Sequence, residues 1–154
     1  MRAVSIYYEG MFSYSDYELP NEVLKKQDIN CESEFHSNLK SAMGNNDLVC
    51  NTIIVRNQKY CNGDLIVVGI EDSDNLSVGL VKSILVKRCK VFFVIQRYTA
   101  VRHWLRYFIC KKPEFDVFEF ADSSKICDYK PLIMRGTVKQ FVFTMHHHVS
   151  FDYM

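Results

Sequence analysis

The sequence predicts a mainly β fold with a minor helical component. Three observations carry this reading. The chain has 11 Phe and 9 Tyr but only 6 Gly and 3 Pro, a balance that favours strands over helices. Short apolar runs recur between turn residues along most of the 154 positions. No series of long helical segments alternates with them, which argues for an antiparallel barrel or sandwich rather than a parallel α/β sheet.

Ala3 to Tyr8 places Val4, Ile6 and Tyr8 on one face and reads as a strand. Glu9-Gly10 suits a tight turn and Met11 to Tyr14 a returning strand, so an N-terminal hairpin is expected. Glu32 to Met43 carries Phe35, Leu39, Ala42 and Met43 at helical spacing, with Gly44 as the stop. After the turn Asn45-Asn46-Asp47, Leu48 to Val55 is apolar and β-branched and reads as a strand. Leu65 to Ile70 follows as a buried strand, and Glu71 to Asn75 as a polar loop. Val78 to Val86 and Val91 to Tyr98 are strands joined by a turn at Lys87-Arg88-Cys89-Lys90. Thr99 to Phe108 fits a helical face through Val101, Trp104, Leu105 and Phe108, while Trp104 to Cys110 fits an extended run as well. Phe115 to Phe120 is expected to be a bulged strand, because its apolar face switches between Val117 and Phe118. Ser123 to Cys127 fits one helical turn, and Asp128 to Gly136 a loop held by Pro131. Val138 to Val149 reads as a last strand with Phe141, Phe143 and Met145 on one side. The expected organisation is one domain over 1–154, with a hairpin-and-helix extension at 1–44 and a barrel-like core at 45–149.

Charge is distributed unevenly. The net charge is only +1, but residues 1–81 hold 6 basic and 12 acidic side chains, and Lys82 to Lys112 holds 9 basic and no acidic ones. A near-neutral chain with such a block can still present a charged face. The six cysteines, Cys31, Cys50, Cys61, Cys89, Cys110 and Cys127, show no C-x-x-C spacing. Val4 to Tyr8 is too short for a signal-peptide core, so the thiols are expected to be reduced and mostly buried. No apolar run approaches the roughly 20 residues that span a bilayer, so no membrane role is expected. The expected location is intracellular, in nucleus or cytoplasm.

Two resemblances add to this reading. Gly63-Asp64-Leu65-Ile66-Val67-Val68, then Val78-Gly79-Leu80-Val81-Lys82-Ser83-Ile84, then Val91-Phe92-Phe93-Val94 with Tyr98, resembles a small SH3-like barrel. It is similar to the bromo-adjacent homology domains of chromatin proteins, which implies an antiparallel barrel with a glycine where curved strands crowd. A longer order of motifs runs from about Asn45 to His148. It includes NGDLIVVGIEDSDNLSVGLVKSILVK, VFFVIQRYTAVRHWLRYF, Asp128-Tyr129-Lys130-Pro131-Leu132 with Gly136, and Phe143 before His146-His147-His148. This order resembles the C-terminal β segment of mobile-element-derived proteins of aquatic animals. That resemblance implies origin more than activity, and upstream partner regions beyond this chain.

Candidate site residues follow from the same patterns. Lys87, Arg88 and Lys90 cluster on the expected turn, and Arg97, Arg102 and Arg106 follow, interleaved with aromatics. Such a surface can neutralise phosphates and stack bases of DNA or RNA. The competing reading is a set of solvated side chains paired with acids from the other segments. Tyr60, Tyr98 and Trp104 could form an aromatic cage for a methylated lysine, although burial in the core is the commoner fate of such residues. His146 and His148 project to one face of a strand, but a zinc site needs a further ligand, so they read as structural. Asp72, Asp74 and Asn75 are spaced like the start of a calcium loop that lacks its glycine and terminal glutamate, and read as a solvent turn. No catalytic signature is present. No cofactor is expected, and the chain is expected not to be an enzyme. The leading expectation is a non-enzymatic interaction module that binds a protein tail or another segment of a mobile-element protein. The alternatives are a nucleic-acid-binding domain using the Lys82–Lys112 block and a metal-assisted hydrolase using His146 and His148.

Overall fold

The computed structural model describes residues 17–104, 107–111, 118–132, 134–136 and 140–144. It is mainly β, built of antiparallel sheets, as the composition predicts. The expected N-terminal hairpin (Ala3 to Tyr14), Arg106 and the histidines 146–148 lie outside the described residues.

The organising element is a long hairpin of β7 (Asn75–Lys87) and β8 (Lys90–Trp104). Their register runs from Asn75↔Val101 to Lys87↔Lys90, with one irregularity between Val81 and Ser83. Lys82 is therefore an extra residue on β7, and it is exposed while Leu76 to Val81 and Ser83 to Val86 are buried. The bulge reverses the parity of β7, so that Leu80 and Leu85 both share a face with the even-numbered residues of β8.

Different strands flank the two halves of this hairpin. The half away from its turn is flanked by β6 (Leu65–Asp72) and β9 (Tyr107–Lys111). The turn half is flanked by β3 (Leu48–Cys50), with β2 (Leu24–Lys25) beyond it, and by β10 (Phe118–Asp122). A separate sheet joins β1 (Tyr17–Glu18), β4 (Thr52–Val55) and β5 (Gln58–Cys61). The remaining strands are β11 (Asp128–Leu132), β12 (Met134–Gly136) and β13 (Gln140–Thr144).

The main strand order is β11-β6-β7-β8-β9-β13-β12. Its two flanks feed one core. Leu132 of β11 and Phe143 of β13 are buried in the same cluster as Leu65, Val78, Tyr98 and Phe108. The end strands β11 and β12 are consecutive in the chain, one residue apart, yet no ladder joins them. The expected closed barrel is thus corrected to a sheet that curls without closing by hydrogen bonds among the described strands. Asp128 to Gly136, expected as a loop, forms β11 and β12. β11 pairs with β6 at Asp128↔Val67 and Leu132↔Leu65 with an irregularity between. Pro131 sits in that irregular stretch, which an edge strand tolerates. Thr99 to Trp104 and Tyr107 to Phe108 are extended, as the end of β8 and the start of β9.

The turn half is covered on both faces. On one face Ile53, Val55 and Tyr60 of the small sheet pack on Ile84, Val86, Phe93 and Ile95. On the other, Leu39 and Met43 pack on Val49, Leu85 and Val94. Leu39 belongs to α1 (Glu34–Ala42), the helix expected from its apolar spacing. Ser33 caps it, its Oγ accepting from the His36 amide at 3.3 Å.

Two hairpin turns run through left-handed backbone at non-glycine residues. They are Arg56-Asn57 (φ 49° and 67°) and Arg88-Cys89 (φ 52° and 64°). Two positive φ values match the twist of a two-residue hairpin, but a non-glycine residue there costs about 1–2 kcal/mol. Cys89→Gly is therefore expected to raise stability by about 1 kcal/mol. The change in midpoint of a urea melt is the check, and a loss of stability would contradict the strain.

Candidate functional site: a groove beside the basic hairpin

The basic block supplies the first candidates, and the fold pairs much of it internally. Arg97 makes a two-pronged pair with Glu119, Nε to Oε2 at 2.6 Å and Nη2 to Oε1 at 3.1 Å. Arg102 donates to the Ser73 carbonyl at 2.8 Å and lies 3.5 Å from Asp74. Its guanidinium also sits 4.9 Å from the centre of the Phe108 ring. Lys87 donates to Asp47 at 2.8 Å and to the Ala42 carbonyl at 3.3 Å. Lys82, Arg88 and Lys90 remain exposed. The block also spans the length of β8: Lys90 and Arg102 are twelve residues apart, about 40 Å of extended chain. Among the described residues of the block, Lys87, Arg97 and Arg102 are thus engaged within the fold.

Tyr60 and Tyr98 are each only 1% exposed and belong to different clusters on opposite faces of β8. They form no shared cage, because each ring fills a core. The side chain of Trp104 lies outside the described residues. Among the described residues no three His, Cys, Asp or Glu side chains gather as a metal site requires. Asp72 accepts hydrogen bonds from the Asp74 amide at 2.8 Å and from Asn75 Nδ2 at 2.9 Å, which closes a turn of its own.

None of the six cysteines is in a disulfide, but only Cys50 and Cys110 are buried. The expectation of mostly buried thiols is corrected on this point, since Cys31, Cys89 and Cys127 are exposed. Burial pushes the Cys50 thiol up to about 11 and the Cys110 thiol up to about 12. A thiol reagent at pH 8 is expected to modify Cys31, Cys89 and Cys127 in the native protein, and Cys50 and Cys110 only on unfolding. Peptide mapping of the labelled protein checks this; early labelling of Cys110 would contradict its burial.

Asp47 is the acid that matters most for Lys87. Its Oδ2 also accepts from the Gly44 amide at 2.6 Å. Burial raises this carboxyl, but the hydrogen bonds from Lys87 and Gly44, with the charges of Lys87 and Arg88, outweigh it and hold the group below its ordinary value. A depressed carboxylate stabilises the fold above its unfolded value and loses that contribution as pH falls through the folded one. The stability advantage of the wild-type protein over Asp47→Asn should therefore shrink as pH falls from about 5 towards 2. Urea midpoints measured across that range test it, and a pH-independent difference would refute it.

The surface that stands out lies between α1 and β10. Phe35, Asn38 and Leu39 of α1 form one wall, Phe118, Glu119 and Phe120 of β10 the other, and Val94 of β8 the floor, enclosing ≈ 320 Å³. The Phe35 and Phe118 rings meet at 4.7 Å. Phe118 and Phe120 alternate on β10, so both project to the α1 face, and they are 36% and 49% exposed. Among the described strands β10 pairs only with β8, which leaves its other backbone edge without a strand partner. The sequence reading saw Phe35 and Leu39 as a helical face and Phe118 and Phe120 as a strand. Local pattern does not bring them together, because Phe35 and Phe118 are 83 positions apart.

The chain matches no family model, no curated protein and no solved structure in the comparisons. Among the described residues no helix is long and apolar enough to cross a membrane.

Proposed function

We propose that this chain is a non-enzymatic interaction module, in keeping with the resemblance to mobile-element-derived proteins, and that it binds an extended apolar protein segment at β10. The observation that supports it is the pair Phe118 and Phe120, exposed beside an apolar groove on a strand that pairs on one side only among the described residues. An extended segment can add to such an edge through its backbone, while alternate side chains contact the two rings. Covering a phenylalanine in this way contributes about 1.5–3 kcal/mol. The residues on the opposite face of the added strand would meet Glu119, whose charge Arg97 already balances.

The test is selection of binders from a displayed library of random twelve-residue peptides, followed by titration of a selected peptide. Expected are sequences with apolar residues at alternate positions, amide shifts in Phe118–Asp122, and at least roughly tenfold weaker binding to Phe120→Ser. Selected peptides that bind Phe120→Ser unchanged would overturn the reading. So would salt-dependent binding of a DNA or RNA probe that Lys82, Arg88 and Lys90 to Glu abolishes while the groove is intact. Lys87 is left out of that reversal, because its ammonium belongs to the contact with Asp47 and Ala42.

A further inference from the structure

We infer that Lys87 is a positioning residue: its ammonium clamps the C-terminal end of α1 to the tip of the β7–β8 hairpin and so sets the geometry of the groove. This rests on the reading of the groove as the binding site, but its physical content can be measured without any ligand.

The clamp is built from three bonds that converge on one corner. Lys87 Nζ reaches the carbonyl of Ala42, the last residue of α1, and the carboxylate of Asp47. The same carboxylate holds the Gly44 amide, just past the helix end. A cation at a helix C-terminus also complements the partial negative charge of its unpaired carbonyls. Asp47 is buried, its side chain 7% exposed, whereas Lys87 is 34% exposed. The lysine is therefore the partner that solvent reaches, and the carboxylate is the one that cannot do without it.

The clamp acts on the groove because α1 is short and stiff. Phe35 and Leu39, which line the groove, share the helix with Ala42. Phe35 lies seven residues from Ala42, about 10 Å along the axis. Leu39 packs on Val94 and Leu85, and Leu85 is two residues from Lys87 on β7. The helix is thus fixed to the sheet by the apolar contacts of Leu39 near its middle and Met43 just past its end, and by the polar contact of Lys87 at that same end. With the polar contact gone, the apolar contacts of Leu39 and Met43 are left to hold the helix to the sheet, its last turn loosens, and the Phe35 wall shifts against Phe118. The lysine that stood first among the nucleic-acid candidates thereby becomes a structural determinant of a different surface.

Two variants separate this from simple destabilisation. Lys87→Met leaves Asp47 charged and buried, whereas Lys87→Met with Asp47→Asn removes that burden and still leaves α1 unclamped. Both are expected to exchange the amides near the end of α1 roughly tenfold faster than the wild-type protein, with strand amides of β7 and β8 unchanged. Both are expected to weaken the nuclear Overhauser contact between the Phe35 and Phe118 rings. Lys87→Arg keeps the charge and should restore most of both signals. Unchanged α1 exchange in the double variant would overturn the clamp. Faster exchange with an intact Phe35–Phe118 contact would overturn its control of the groove. Absence of any selected peptide would bear on the binding reading alone, because neither measurement uses one.

Discussion

Phe108→Ala is expected to lower the unfolding free energy by about 3–5 kcal/mol. The ring is fully buried in the curled half of the sheet, among Leu65, Val78, Tyr98 and Leu132. It lies parallel to Phe143, 7° between planes and 5.5 Å between centres, and carries the Arg102 guanidinium on its other contact. Truncation would open a cavity that strands from both flanks of the sheet cannot easily collapse into. Val101→Ala, at a side chain 51% exposed on the neighbouring strand, should change stability by less than about 0.5 kcal/mol. Chemical denaturation of the two variants is the measurement. A loss below about 1 kcal/mol at Phe108 would show that the curled core is not the centre of stability.

Gly79→Ala should cost about 1–3 kcal/mol through crowding. Gly79 has an ordinary backbone, so the reason is space. An added Cβ would stand 2.6 Å from Ile95 Cδ1 and 2.9 Å from Ile95 Cβ. The tip of Ile95 can swing aside, but its Cβ is fixed by β8, on which the side chain is fully buried. Combining Gly79→Ala with Ile95→Ala should cost less than the sum of the two single changes, because truncation removes Cδ1 and Cγ2 and lets the strands adjust around the remaining Cβ. Additive costs in urea melts would show that the crowding is relieved elsewhere. The resemblance to curved reader barrels pointed to a glycine at this position, and the crowding atoms belong to a side chain on the next strand.

Local pattern made most strands legible. β6, β7 and β8 fall on the expected apolar runs, and the turn after Lys87 is where it was expected, but Glu71 to Asn75, expected as a polar loop, lengthens β6 and β7 around a two-residue turn. α1 was legible for a similar reason: Phe35, Leu39 and Met43 share a face and Gly44 follows as the stop, although the helix starts at Glu34, after the Ser33 cap, rather than at Glu32. β11 and β12 were not legible. Pro131 and the short polar run Asp128-Tyr129-Lys130 look like a loop, and the strands exist because β6 and β13 offer edges beside them.

The candidate site was legible only in pieces. The block of nine basic residues is plain in the sequence, but its meaning depends on acids that local pattern does not connect to it. Lys87 finds Asp47 from 40 residues away, and Arg97 finds Glu119 from 22. Nothing in the spacing of lysines shows which will be paired, since a charge is satisfied by whatever the fold brings within about 4 Å.

The sequence by itself determined the β class, the central hairpin and the helix. Each follows from residues within a few positions of one another, where periodicity and turn chemistry act directly. Only the tertiary structure decided that the described strands curl without closing by hydrogen bonds, that the two buried tyrosines face apart, and that Phe35 and Phe118 share a groove. The Lys82 bulge shows why. One extra residue reverses the parity of β7, so which side chains meet across the hairpin depends on a register that the pairing of whole strands sets.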